Sequence, residues 1–282
     1  MLRSHLTSPR LVGILGWPLE HTLSPVIHNA AFRRLALEWI YLAFPTPPEE
    51  LAAAVGGLRA LGAMGATVTM PHKEAVTGLV DDLSGDARAL GAANTIQRVG
   101  DELVGHNTDI DGFKEFVISD AGYDVAGMRC VVFGSGGAAR AVVKALDDLG
   151  AGRIAIVARR GEVAARLVGL FTGGRADLHG WDRASELASE SDVVVNATPV
   201  GMHDEEVAPQ ARFHGGQLVV DLIYDPPSTP MVERARAAGA DAWGGLGMLV
   251  HQAAASFRIW TGQDPPIGTM SAAAVRAIGS HQ

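Results

Sequence analysis

Short apolar runs alternate along this chain with longer stretches in which apolar residues recur every three or four positions, the pattern of strands followed by helices. Leu11 to Leu15, Trp39 to Phe44 and Gly65 to Thr69 read as strands, with amphipathic helices predicted over Val26 to Leu37 and Pro48 to Leu61. Ser24 is placed to cap the first helix and Pro25 to occupy its first position. Beyond Gly65 to Thr69, the segment Met70-Pro71-His72-Lys73 is expected to lead into another helix starting near Pro71. Gly100-Asp101 separates Thr95 to Arg98 from Glu102 to Gly105 as a hairpin turn would. Ile110 to Ala121 then returns to helical spacing. In the second half, Arg129 to Phe133, Ile154 to Ala158, Asp192 to Asn196, Leu218 to Leu222 and Ala240 to Trp243 read as strands. Arg140 to Leu149, Met231 to Ala238 and Met248 to Thr261 read as helices. This order predicts an α/β protein.

Length changes the picture by dividing it. At 282 residues and 48% hydrophobic composition, the chain reaches the size at which one core tends to split into two. The predicted domains are 1–108 with 246–282, and 109–245. Gly244-Gly245-Leu246-Gly247 is read as a flexible return, and hinges are expected there and near Thr108. A net charge of -8 with no long basic run argues against nucleic acid as a partner. One cysteine, Cys130, lies inside a predicted strand, which excludes an intrachain disulfide framework and fits a reducing, cytoplasmic setting. The ten histidines show no metal-ligand spacing, so no metal is expected, and no apolar run is long enough to span a bilayer.

The most specific chemical signal follows Phe133. Gly134-Ser135-Gly136-Gly137-Ala138-Ala139 stands between a predicted strand and a predicted helix, the context a dinucleotide fingerprint requires. Gly134 permits the turn, Gly136 lets backbone approach a pyrophosphate, and the first N–H groups of the helix supply partial positive charge. The next strand ends in Arg159-Arg160 where a site for NAD usually carries an acid. Two cations there suit the 2′-phosphate of NADP. At the end of an earlier strand, Thr69 and Lys73 are placed where open α/β sheets hold ligands.

The stretches GWPLEHTLSPVIHN, GATVTMPHKEAV, GAANT, NTDIDGF, GSGGAAR, NATPVGM, DLIYDP and GLGMLVHQAAASFRIWTG follow one another in the order of the shikimate dehydrogenase family, which the chain resembles over nearly its whole length. The resemblance implies an N-terminal α/β substrate domain, a Rossmann-type doubly wound NADP domain, and NADP-linked interconversion of 3-dehydroshikimate and shikimate, with the protein a monomer or homodimer. It assigns catalysis to Lys73 and Asp109, and substrate contacts to Thr22, Ser24, Thr69, Asn94, Tyr224 and Gln252. The cofactor phosphates fall on Gly134, Ser135, Gly136, Gly137 and Ala138, and the 2′-phosphate on Arg159 and Arg160. Its nicotinamide end falls on Thr198, Met202, Leu222 and Gly245. Two positions depart from the family pattern: Thr22 stands where serine is usual, and Thr67 where asparagine is usual. Ala158 and Arg160 also differ. Quinate or aminoshikimate as substrate, or a metabolite-binding role without catalysis, are the alternatives, and which of Lys73 and Asp109 makes the final proton transfer is left open.

Overall fold

A computed structural model describes residues 9–20, 22–159, 165, 167–169, 174–203 and 205–279. The chain forms two compact units, Met1–Thr108 with Ala253–Gln282, and Asp109–Gln252.

In the first unit, β1 (Arg10–Gly16), β2 (Trp39–Pro45) and β3 (Gly65–Val68) pair in parallel around β1, while β5 (Thr95–Val99) runs antiparallel to β3 and to β6 (Glu102–His106). A two-residue strand, β4 (Asp82–Leu83), completes the order β2-β1-β3-β5-β6-β4. Helix Leu51–Ala60 buries Leu51, Val55 and Leu58, one stripe at helical spacing, against Leu15, Ala66, Val68, Ile96 and Leu103 of the sheet. Helix Ile267–Gly279 packs against helix Ser24–Arg34.

The second unit is built on a fully parallel sheet of order β12-β11-β10-β7-β8-β9, comprising β7 (Arg129–Phe133), β8 (Arg153–Val157), β9 (Ala176–His179), β10 (Val193–Asn196), β11 (Leu218–Asp221) and β12 (Asp241–Trp243). Numbered from β7, that order is 3-2-1-4-5-6 reversed, the doubly wound dinucleotide-binding topology. The strand order changes direction between β7 and β10, and the crevice at such a point is where these sheets take ligands. Val131, Phe133, Ala155, Val157, Val194 and Val219 form the centre of its core, with Met231, Val232 and Ala235 packed over them from helix Pro230–Ala237.

Several expectations differ from what forms. No long helix begins at Pro71: the chain turns through Pro71 to Glu74 and makes only the 3₁₀ turn Ala75–Gly78, in which Val76 alone is buried. Ser24 does not cap the first helix but is its first residue, with Leu23 at the cap position. The helix expected over Ile110 to Ala121 is α-helical only over Asp109–Glu115. It widens into a π turn over Phe116–Asp120, with the Ala121 N–H reaching the Phe116 carbonyl at 3.0 Å.

The glycines at 244, 245 and 247 are closely packed. A Cβ on Gly245 would lie 2.1 Å from the Leu222 carbonyl oxygen, and one on Gly247 would lie 2.6 Å from the Phe116 ring. Helix Leu246–Thr261 accordingly begins within the second unit, and the division falls at 253 where the sequence pointed to 246.

Candidate active site

In the first unit, five of the residues assigned by resemblance gather at one end of the sheet. β1 and β3 are parallel, so Thr22 and Ser24 beyond β1 and Thr69 and Lys73 beyond β3 leave the same edge. Asn94 enters β5 there because that strand runs the other way, and its carbonyl accepts the Val68 N–H at 2.7 Å. Thr69 is tied to β1 by its N–H to the Leu15 carbonyl at 2.9 Å, and its methyl fills the space a Cβ on Gly16 would need. Lys73 is half-buried, and its carbonyl accepts the Ala93 N–H at 2.8 Å. Beside it His72 is buried, its Nε2 2.7 Å from the Thr46 carbonyl. The irregular turn carrying the lysine is therefore held on both sides although it is not a helix.

Asn94 orders the end of the unit. Its Oδ1 accepts the Thr108 N–H at 2.7 Å and its Nδ2 donates to the Thr108 hydroxyl at 3.0 Å. Thr95 and Thr108 also meet the Ser256 hydroxyl at 2.8 and 3.0 Å. Thr22 accepts the Ser24 N–H at 3.4 Å. Ser24 is buried, and the buried Tyr41 hydroxyl bonds to the Thr67 hydroxyl. Tyr41 and Ser256 were not singled out from the sequence. Tyr41 is a tyrosine in a strand of otherwise ordinary hydropathy, and only the register of β1, β2 and β3 brings it to Thr67.

In the second unit, the remaining assigned residues follow the carboxyl ends of parallel strands. Gly134 to Ala138 follow β7, Arg159 follows β8, Thr198 and Met202 follow β10, Leu222 and Tyr224 follow β11, and Gly245 follows β12. Asp109 is buried at the head of helix Asp109–Glu115, and the backbone of Gln252 packs where a Cβ on Gly112 would stand. Arg160 lies outside the described residues.

The glycine turn separates two demands. Gly134 has φ +117°, and a Cβ there would approach the Ala197 carbonyl to 2.9 Å, so the protein itself requires glycine. Gly136 has φ -78°, and a Cβ there would meet nothing within 4 Å. It heads helix Gly137–Asp148, whose first N–H groups receive no side-chain cap. Open space over uncapped donors fits a pyrophosphate. Arg159 has its guanidinium carbon 5.0 Å from the centre of the Trp181 ring and 3.9 Å separates it from the Glu205 carboxylate. A largely exposed cation held over an indole at the end of the second strand fits a 2′-phosphate.

A buried polar network shapes the loops around Thr198 and Leu222. Asn196 Oδ1 accepts the Thr198 N–H at 3.0 Å and the Thr198 hydroxyl at 2.7 Å, and its Nδ2 donates to Asp221 at 3.0 Å. Asp221 also accepts the Ile223 N–H at 3.1 Å and the Thr229 hydroxyl at 2.7 Å. Burial pushes the Asp221 carboxyl above its ordinary range while these donors oppose the rise. Burial likewise raises the Tyr224 phenol, with the Asp225 charge adding to it. Both network residues end apolar strands, which is the signal by which the sequence could have revealed them. Among the described residues no group of three His, Cys, Asp or Glu side chains is placed to hold a metal ion, and no helix is long and apolar enough to cross a membrane.

Known proteins share this fold and much of its sequence. The sequence profile of the shikimate dehydrogenase substrate binding domain matches residues 14–96, and that of the Shikimate 5′-dehydrogenase C-terminal domain matches residues 245–275. Shikimate dehydrogenase (NADP(+)) of Methanopyrus kandleri is 42% identical over 278 residues, covering 95% of this chain and 96% of its own. The structure of shikimate 5-dehydrogenase from Thermus thermophilus in complex with NADP(H) and shikimate superposes with a TM-score of 0.84 at 36% identity, over 95% of this chain and 99% of that one. Quinate dehydrogenase from Corynebacterium glutamicum in complex with NAD reaches a TM-score of 0.86 at 26% identity, over 95% and 99% of the two chains. Two sheets of these topologies, a dinucleotide turn at the switch point of one and a lysine beyond β3 of the other, together with identity of this extent, make the chain a member of the shikimate dehydrogenase family.

Proposed function

We propose that this protein catalyses the NADP-linked, reversible reduction of 3-dehydroshikimate to shikimate. The observation that carries the reading is the 42% identity to an NADP-dependent shikimate dehydrogenase over 95% of the chain, and Lys73 and Asp109 stand where the family resemblance assigns catalysis. NADP supplies the hydride chemistry when bound. Gly134 to Ala138 hold its phosphates, Arg159 with Arg160 its 2′-phosphate, and Thr198, Met202, Leu222 and Gly245 its nicotinamide end. Reduction of a ketone builds negative charge on oxygen, and the Lys73 ammonium stabilises and protonates that oxygen. The family resemblance gives the second catalytic role to Asp109. Thr22, Ser24 and Tyr224 offer hydroxyl donors to the substrate carboxylate, while Thr69, Asn94 and Gln252 hold the ring hydroxyls.

The test is turnover of 3-dehydroshikimate with NADPH, followed by nicotinamide absorbance, alongside quinate with NADP or NAD as competing pairs. Well-folded protein that turns over neither would favour a binding role instead. Lys73→Ala should lower kcat by on the order of a hundredfold with substrate affinity largely kept. Asp109→Asn should resemble it, and the double variant should lose far less than the product of the two, because the pair acts as a unit. Near-normal turnover by Lys73→Ala would remove this mechanism.

A further inference from the structure

The cation assigned to the 2′-phosphate has a support of its own. β8 and β9 pair in parallel with Val157 opposite His179, and the Ala158 N–H carries the ladder one step further by donating to the His179 carbonyl at 3.3 Å. Two residues past those partners the chain places Arg159 on one side and Trp181 on the other, so the register brings them level. The guanidinium carbon lies 5.0 Å from the centre of the indole ring. Trp181 opens the 3₁₀ turn Trp181–Arg183 and is fixed from behind. The Phe133 ring meets it edge to face, with 6.0 Å between centroids and 65° between planes, and the indole packs half-buried on the core of the sheet. Phe133 is the last residue of β7, immediately before the Gly134 turn. One indole thus joins the strand that leads into the pyrophosphate turn to the cation at the end of the next strand.

Arg159 needs such a support. Its guanidinium is largely exposed, and the carboxylate paired with it, Glu205, is 3.9 Å away and more exposed still, a setting in which an ion pair contributes little. Ala158, one of the positions that depart from the family pattern, offers it no polar side chain. Arg183, the other arginine of this corner, is engaged with Glu186 at 3.1 Å within its own turn. A long side chain that rotates freely loses that freedom when it clasps a phosphate, and it loses less when it is already held. An indole face attracts a guanidinium without occupying its N–H groups, which stay available to a ligand. We infer that Trp181 is a positioning residue for cofactor choice: it holds the Arg159 guanidinium at the end of β8, ready for the 2′-phosphate, and so contributes to a preference for NADP over NAD. This rests on the reading of Arg159 as a 2′-phosphate ligand.

Titration calorimetry with NADP and with NAD tests this on the full chain and on Arg159→Ala, Trp181→Leu, Trp181→Phe and the Arg159→Ala/Trp181→Leu double variant, each first shown to unfold cooperatively. Trp181→Leu should raise the NADP Kd by roughly three- to fivefold and leave the NAD Kd unchanged. Trp181→Phe, which keeps a ring with a weaker face, should fall between Trp181→Leu and the parent protein. The double variant should bind NADP no more weakly than Arg159→Ala alone, because the indole acts through the arginine. An Arg159→Ala protein with an unchanged NADP Kd, or with both cofactors weakened equally, would overturn the phosphate reading and this inference with it. A selective loss of NADP in Arg159→Ala beside an unchanged NADP Kd in Trp181→Leu would overturn the inference alone. So would a Trp181→Leu protein that loses both cofactors alike, as mere loss of packing against Phe133 would cause, or a double variant in which the single effects multiply. Should Trp181→Leu fail to fold, Trp181→Phe decides the question: a NADP Kd raised by about twofold at constant NAD Kd supports the inference, and an unchanged one overturns it.

Discussion

Gly134 and Gly136 stand two positions apart and answer to different masters, the first to the protein and the second to its ligand. Gly134→Ala forces a positive φ on alanine and drives its Cβ toward the Ala197 carbonyl, so it should destabilise the fold by about 1–3 kcal/mol. Gly136→Ala meets open space at an ordinary φ and should change stability by less than about 1 kcal/mol. Its methyl instead enters the space over the helix donors and should raise the NADP KM on the order of tenfold, equivalent to ~1.4 kcal/mol. Thermal unfolding beside cofactor kinetics separates the two, and a Gly136→Ala enzyme with normal cofactor KM would show that no phosphate approaches there.

His28 makes a prediction of another kind at the same scale. Burial lowers its pKa from 6.5 to about 3, so the unfolded chain takes up a proton that the folded one refuses over that interval. The folded pKa is depressed, and the stability contribution is whole above pH 6.5 and is lost progressively as pH falls from there toward 3. At pH 5 the loss should be on the order of 2 kcal/mol. His28→Phe, which keeps a flat ring against Tyr41, should flatten the fall in stability between pH 7 and pH 5 measured by denaturant unfolding. An unaltered slope would place the titrating group elsewhere.

Among the elements, the strands of the second unit were largely legible because burial on both faces writes itself as continuous apolar runs, as in Cys130 to Phe133 and Val193 to Val195. β9 was not. Its sequence, Ala176-Asp177-Leu178-His179, is mixed and short, and what makes it a strand is the register it adopts on β8 from Ile154 to Val157. β4 is two residues long and exists only by pairing with β6. The false helix at Pro71 came from reading a strand–turn–helix rhythm into a segment whose turn is fixed by His72 and Ala93 instead. In the site, the motif residues were legible as a resemblance, whereas the Tyr41–Thr67 hydroxyl pair was not, because it joins residues of β2 and β3 that only their parallel pairing on either side of β1 brings together. The same holds for Asn196 and Asp221 at the ends of β10 and β11. Their bond couples two loops, so Asp221→Ala, which strands three buried donors, should cost about 3 kcal/mol or more, and Asp221→Asn, which keeps the acceptor facing Asn196 and Ile223, considerably less. Equal losses in chemical denaturation would mean that the charge and not the hydrogen bonds matters.

For the molecule as a whole, the two units differ in how they use the chain. Asp109–Gln252 is one unbroken segment, while the other unit needs both ends, and its last helix, Ile267–Gly279, packs on its first, Ser24–Arg34. During synthesis the middle of the protein therefore has everything it requires before the beginning does. We expect ribosome-bound chains arrested after residue 252 has cleared the exit tunnel to show protease resistance within 109–252 and continued cleavage before residue 108, with resistance at the N-terminus arriving only once residue 279 is out. Resistance appearing first at the N-terminus would reverse that order. The seam of helix on helix that completes the first unit thus sets a timetable: the segment before residue 108 must wait, with the face that takes helix Ile267–Gly279 uncovered, until that helix has been made.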